Sequence, residues 1–221
     1  MPTSPTELVL HPTPILSLRP TQMTLGMNEV RVKRIAWKEK TSGDRLITFL
    51  DTHMVPVIKG LKGEPFLIDH HHLARALHDE GLESVFVTVV ADFSRLSVDH
   101  FWTAMAFHSW VHPYDAQGRR RPYSELPKTV KGMEDDPYRS LAGELRNLGG
   151  FAKDSSPFSE FLWADFLRPR IKAKAVKTDF EGALAKALTL AKSGDADYLP
   201  GWCGPHGYVA RAGAKKKTPK G

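Results

Sequence analysis

Apolar residues recur along this chain with two different periods, and the change of period organises it. Phe66-Leu67-Ile68 is a short apolar run of strand length. Leu73, Ala76 and Leu77 then return at helical spacing, and Gly81 stands where a helix would end. Between the two lies Asp69, whose carboxylate is suited to cap the first turn. The stretch predicts a strand, a tight turn and a helix that opens on His70, His71 and His72. Upstream, Val55–Lys59 predicts a strand and Gly60–Glu64 a hairpin turn, with Pro65–Ile68 as the partner strand. Downstream, Ser84–Asp92 is rich in β-branched residues and almost continuously apolar, which predicts a strand buried on both faces.

The start of the chain is less regular. Residues 1–15 carry four prolines and read as an extended leader, because proline fixes φ and removes a donor. Ile15–Leu18 predicts a first strand, closed by Pro20. Asn28–Lys40 mixes Val30, Ile35 and Trp37 with Arg31, Lys33, Arg34, Lys38 and Lys40, an amphipathic helix with a basic outer face. Asp44–Thr52 predicts a second helix. Residues 16–95 thus form a small α+β module with a mixed sheet.

Beyond it the period becomes helical. Val98, Phe101, Trp102, Met105 and Ala106 follow Ser97, a candidate cap, and the helix runs toward Val111. A loop with Arg119-Arg120-Arg121 at its end follows. Further helices are predicted at Pro137–Leu148, ended by Gly149-Gly150, at Phe158–Leu167, stopped by Pro169, and at the Ala/Leu-rich Asp179–Lys192. Residues 96–200 read as a helical extension packed on the module, and 201–221 as a loop with a disordered basic tail.

Composition adds bounds. An apolar fraction of 41% supports a packed core, and no run reaches the ~18 apolar residues of a membrane span. Cys203 is the single cysteine and the N-terminus has no apolar signal core, so the expectation is a cytoplasmic protein without internal disulfides. The net charge is +6, but Arg211, Lys215, Lys216, Lys217 and Lys220 supply five positive charges from the tail. Basicity therefore says little about the folded part.

Candidate chemistry centres on the histidines. Imidazoles titrate near neutral pH and stand here beside a helix start, where backbone N–H groups favour an anion. His71 and His72 are the leading acid–base candidates; as polar groups at a helix start, their removal should cost at most ~1 kcal/mol. Asp69 has three readings: cap, partner of an imidazole, or metal ligand with His71. His108 and His112, four apart, would share a face if the helix continued that far, and could join a metal set, although the spacing fits no zinc pattern. Arg139 and Arg146, seven apart on one helix face, could pair with Glu160 or Asp165 or reach a phosphate. Thr21 and Gln22 could bond a ligand from a neighbouring loop.

The blocks Leu18-Arg19-Pro20-Thr21-Gln22, Gly26-Met27-Asn28-Glu29-Val30, Asp69-His70-His71-His72, Asp135–Ala142 and Glu160–Arg168, in that order, resemble the ParB/sulfiredoxin superfamily, and within it the ParB-like nuclease family. The resemblance spans roughly Leu16 to Arg170. It implies a ParB/sulfiredoxin-like fold that binds a nucleotide (ATP, ADP or CTP) or a phosphorylated small molecule at the Asp69–His72 turn. The expected activity is phosphoryl transfer or phosphoester hydrolysis, with Mg²⁺ as the expected cofactor. Glu29 resembles the upstream glutamate that acts as base in the superfamily's free serine kinases. His70, Arg75, Arg19, Gln22 and Arg139 are the expected phosphate or ligand contacts. Two departures stand out: His70 replaces the usual glycine, and Leu73 replaces a phosphate-binding arginine. His71 stands where sulfiredoxin has its cysteine, which argues against sulfinic acid reduction. The alternative is a DNA-associated protein that grips the phosphate backbone, although no helix-turn-helix is evident.

Overall fold

The structure, a computed structural model, describes residues 12–40 and 53–205. It has two compact units, Met1–Ser140 and Leu141–Gly221. The strands of the first are β1 (Pro12–Pro14), β2 (Arg19–Pro20), β3 (Thr24–Leu25), β4 (Val55–Lys59), β5 (Pro65–Leu67), β6 (Ser84–Asp92) and β7 (Glu134–Asp135). Its helices are α1 (Met27–Lys40), α2 (His71–Asp79), α3 (Val98–Phe107) and the start of α4 (Pro137–Asn147). The fold is α+β, as expected. The division at Ser140 lies well beyond the change of period near residue 95, so α3 and the loop after it belong to the sheet's own unit.

Five strands form one mixed sheet in the order β1-β6-β4-β5-β2, and β3 pairs with β7 in a separate parallel ladder. The β4–β5 hairpin is antiparallel, with Val57 opposite Leu67 and Ile58 opposite Phe66. Successive strand residues point to opposite faces, and here both faces are covered. Val55, Val57 and Leu67 join Leu73, Ala74 and Leu77 of α2 in one core, while Ile58 and Phe66 join Phe101 and Met105 of α3 in another. Gly60 lets Phe66 and Phe101 close in, because a Cβ there would stand 2.4 Å from the Phe66 ring.

The strand buried on both sides is therefore β4, not β6. Thr88, Val89 and Val90 of β6 are exposed. Strand β1 pairs only with Ser84–Phe86, so among the described residues the rest of β6 has β4 as its one neighbour. Two further corrections concern the N-terminal side. Ile15–Ser17 is a 3₁₀ turn rather than a strand; it buries Ile15, and the strands lie on either side of it. The extended leader ends earlier than residue 15, because Pro12–Pro14 already pairs with β6. The helix expected at Asp44–Thr52 lies outside the described residues.

Helix α3 begins as expected, the Ser97 hydroxyl accepting from the His100 N–H, but it ends at Phe107. His108 and His112 therefore do not share a helix face.

The second unit continues α4 and adds α5 (Ser159–Leu167), α6 (Ala173–Thr178) and α7 (Phe180–Ala191). Trp163 is fully buried, stacked on Phe151 at 4.3 Å, and its indole N–H donates to the Pro200 carbonyl. Arg146 pairs with Glu160, one of its two expected partners. Asp179 caps α7 through the Gly182 N–H, and α6 is a helix the periodicity did not announce. No described helix is long and apolar enough to cross a membrane.

Candidate active site

The turn after β5 departs from the expected cap. Asp69 accepts from the His70 N–H at 2.6 Å and makes no bond to the helix, while His70 itself takes the N-cap position in left-handed conformation, φ 62°. That is the conformation glycine adopts freely, which explains why relatives are expected to carry glycine there. Both Asp69 and His70 are exposed.

His71 turns inward. Its side chain is buried, and its Nε2 accepts from the Thr21 N–H at 3.3 Å. The Thr21 hydroxyl donates to the Leu67 carbonyl at 2.7 Å. Burial pushes the His71 pKa down to about 3, aided by the neighbouring His72, against the opposing pull of a hydrogen bond to the Leu67 backbone. His71 is thus a neutral lock between β2, β5 and the first turn of α2. It is a buried group and not a surface one.

One residue on, His72 meets the other helices. Its Nε2 lies 2.8 Å from Oε2 of Glu29, the third residue of α1. Glu29 Oε1 accepts from Nη1 of Arg139, the third residue of α4, at 3.0 Å. The three side chains are between 10 and 22% exposed, so the group is largely dry but open on one side. First turns of three helices meet here. The Met27 N–H donates to Asp135 Oδ1 and the Asn28 N–H to Ser140 Oγ, while the Tyr138 N–H donates to Asp136 Oδ1. The positive ends of three helix dipoles therefore surround the Glu29 carboxylate.

The electrostatics follow. Burial would raise the Glu29 pKa, but the hydrogen bond from His72 and the charge of Arg139 outweigh it and hold Glu29 at about 2. Burial lowers the His72 pKa despite the opposing pull of Glu29. At neutral pH the site holds a carboxylate, a guanidinium and a neutral imidazole. An ionised carboxylate accepts, so Nε2 carries the proton and Nδ1 the lone pair. The Gly26 N–H also points at Nε2, from 3.1 Å. One nitrogen cannot donate to Glu29 and accept from Gly26 at once. The shorter contact to a charged acceptor favours the arrangement in which Nε2 donates to Glu29.

Of the expected site residues, the fold brings Glu29, His72 and Arg139 together, with His71 locked beside them. Arg75 lies elsewhere, bound to Asp79 and to the carbonyls of Val130 and Met133. Arg19 pairs loosely with Glu64 at 3.4 Å. Gln22 bridges to His112 through the backbone. His112, weighed in sequence only as a metal ligand, has its pKa pushed down to about 4 by burial and by the charge of Arg139, so it belongs to the surroundings of the cluster. Among the described residues no three His, Cys, Asp or Glu side chains gather as metal ligands. Asp69 and His71 point apart in role, and Glu29 already faces a guanidinium, so these residues do not fit a divalent cation. Gly26 and Ser140 were not singled out. The signal for Ser140 was present in Asp136-Pro137, a cap followed by proline at the first helical position.

A comparison with protein families matches residues 11–169 to the family described as "Putative ParB-like nuclease". Among curated proteins nothing matches. Among solved structures, the chain is similar to the crystal structure of protein Atu1540 from Agrobacterium tumefaciens. The two share 49% identity with a TM-score of 0.81, over 88% of this chain and 98% of that one.

Proposed function

The chain belongs to the ParB-like nuclease family, and on that premise we propose that the Glu29–His72–Arg139 cluster is a catalytic centre for cleaving or transferring a phosphate ester. The 2.8 Å contact between His72 Nε2 and Glu29 carries this reading. Glu29 holds the imidazole in one tautomer and leaves Nδ1 to take a proton from water or a hydroxyl. General base action of this kind contributes roughly 10²–10⁴-fold. Arg139 and the first turns of three helices supply the positive field that a phosphate and its transition state require. The competing reading is purely structural, a buried ion group tying three helices together. Such groups are weak devices for stability, since desolvation offsets their attraction.

The test uses the full chain with bis(p-nitrophenyl) phosphate, p-nitrophenyl phosphate, and ATP, ADP or CTP, each with and without Mg²⁺. Nucleotide binding is followed by thermal shift. Glu29→Gln and His72→Asn should lower kcat for the accepted ester by at least ~10²-fold at nearly unchanged KM, with the fold intact by circular dichroism. Full activity in folded His72→Asn protein would leave the cluster a structural one.

A further inference from the structure

Helix α1 carries Arg31, Lys33, Arg34 and Lys38 along its middle, after Glu29. Two of these cations are already committed: Arg34 and Lys38 pair with Glu80, the C-cap of α2, at 2.6 and 3.1 Å. Arg31 follows Glu29 by two residues, a step of about 200° that carries it to the other side of the helix. Lys33 follows by four, so it lies one turn along on the Glu29 side, where Cβ atoms stand about 5–6 Å apart. Lys33 is exposed and enters no ion pair among the described residues.

A second observation brings Lys33 to the same imidazole. The charged and titratable groups that bear on His72 are Glu29 and Lys33 from α1 and Arg139 from α4, with His71 beside it on α2. Burial lowers the His72 pKa most, Glu29 opposes it, and the charges of Arg139 and Lys33 add to the fall. The two cations differ in what they can reach. Arg139 donates to Glu29 at 3.0 Å and its side chain is only 10% exposed, so its charge is fixed against the carboxylate. Lys33 is a point charge on a flexible four-carbon stem at the open side of the cluster, able to meet an anion arriving from solvent.

We propose that Lys33 anchors the substrate of this site: its ammonium binds a non-bridging oxygen of the phosphate ester and holds the phosphorus on the open side of His72. This rests on the phosphoester reading of the Glu29–His72–Arg139 cluster. The division of labour follows from charge. Arg139 balances Glu29, which orients the base, whereas Lys33 has its charge free for the ester. Negative charge on the non-bridging oxygens is present in the bound ester and persists in the transition state, so Lys33 acts mainly on binding. Its loss therefore falls on KM, where the loss of Glu29 or His72 falls on kcat. The contact is to the phosphoryl group and not to the alcohol portion, so inorganic phosphate alone should feel it.

The experiment compares the full chain with Lys33→Met, Lys33→Arg and Arg31→Met, the last removing the same charge from the other side of α1. Turnover of bis(p-nitrophenyl) phosphate and p-nitrophenyl phosphate is followed across pH, and inorganic phosphate is titrated by calorimetry. Lys33→Met should raise KM and weaken phosphate binding at least ~10-fold, with kcat changed less than ~3-fold and the fold intact by circular dichroism. The acidic limb of its kcat/KM profile should move to higher pH, because the imidazole loses a neighbouring positive charge. Lys33→Arg should recover most of the phosphate affinity, and Arg31→Met should match wild type. Unchanged KM and phosphate affinity in folded Lys33→Met, or an equal loss in Arg31→Met, overturns the proposal, while turnover by the wild type leaves the cluster's function standing. An acidic limb that stays in place removes Lys33 from the neighbourhood of His72 and overturns it as well. Phosphate binding that depends on Lys33, in a wild type that turns over neither ester, would support the contact and strike the catalytic reading. A wild type that neither binds phosphate nor turns over an ester overturns both.

Discussion

Acid should unfold this protein early, and buried histidines are the reason. The folded pKa of His71 is about 3 and that of His112 about 4, against an ordinary value of 6.5. A histidine whose pKa is lowered by folding stabilises the native state above its unfolded pKa. That contribution is lost as pH falls below 6.5, because the unfolded chain takes up a proton that the native state refuses. At pH 5 each of the two costs about 2 kcal/mol, and His72 acts in the same direction. Together this is a large fraction of the ~5–15 kcal/mol that a domain has in total. Glu29 has the same sign at lower pH: its contribution is present above 4.5 and lost as pH falls toward 2. Urea unfolding at half-unit steps from pH 7.5 to 4.5 gives the stability at each pH. Near pH 5.5 the slope should reach at least ~2 kcal/mol per unit, since each such histidine contributes roughly 1. His71→Gln keeps an acceptor for the Thr21 N–H but cannot titrate. It should be less stable at pH 7, with a slope shallower by about 1 kcal/mol per unit. A wild-type slope below about 1 kcal/mol per unit, or an unchanged slope in His71→Gln, would refute the burial argument.

Two stability predictions concern the backbone. His70→Gly should be neutral or stabilising by up to ~1 kcal/mol in chemical denaturation, because the left-handed strain it relieves exceeds the entropy glycine adds to the unfolded chain; a loss of more than ~1 kcal/mol would contradict this. Gly60→Ala should destabilise by roughly 1–3 kcal/mol, as its Cβ would stand 2.4 Å from Phe66 and 2.8 Å from Phe101; a melting temperature equal to wild type would show that the two rings yield freely.

Much was legible in the residues taken alone. Local signals settle local structure, so the β4–β5 hairpin, α1, α3, α4, α5 and α7 were readable from period, caps and breakers. Glu29, His72 and Arg139 could each be picked out by chemical type and motif. That they form one group could not, because 110 positions separate Glu29 from Arg139 and only the packing of three helix starts joins them. The same limit explains the misread strand. The residues of β6 state that it favours extended backbone, whereas its burial depends on how many neighbours the sheet supplies, and β1 covers only its first three residues. The adjacent histidines show the division most sharply. In sequence His70, His71 and His72 are equivalent polar rings at a helix start. The left-handed turn at His70 and the hundred-degree step of the helix send one into solvent, one into the core and one onto Glu29. Residue type determined what each ring could do chemically; direction and surroundings, which exist only once distant segments have packed, decided which of them does it.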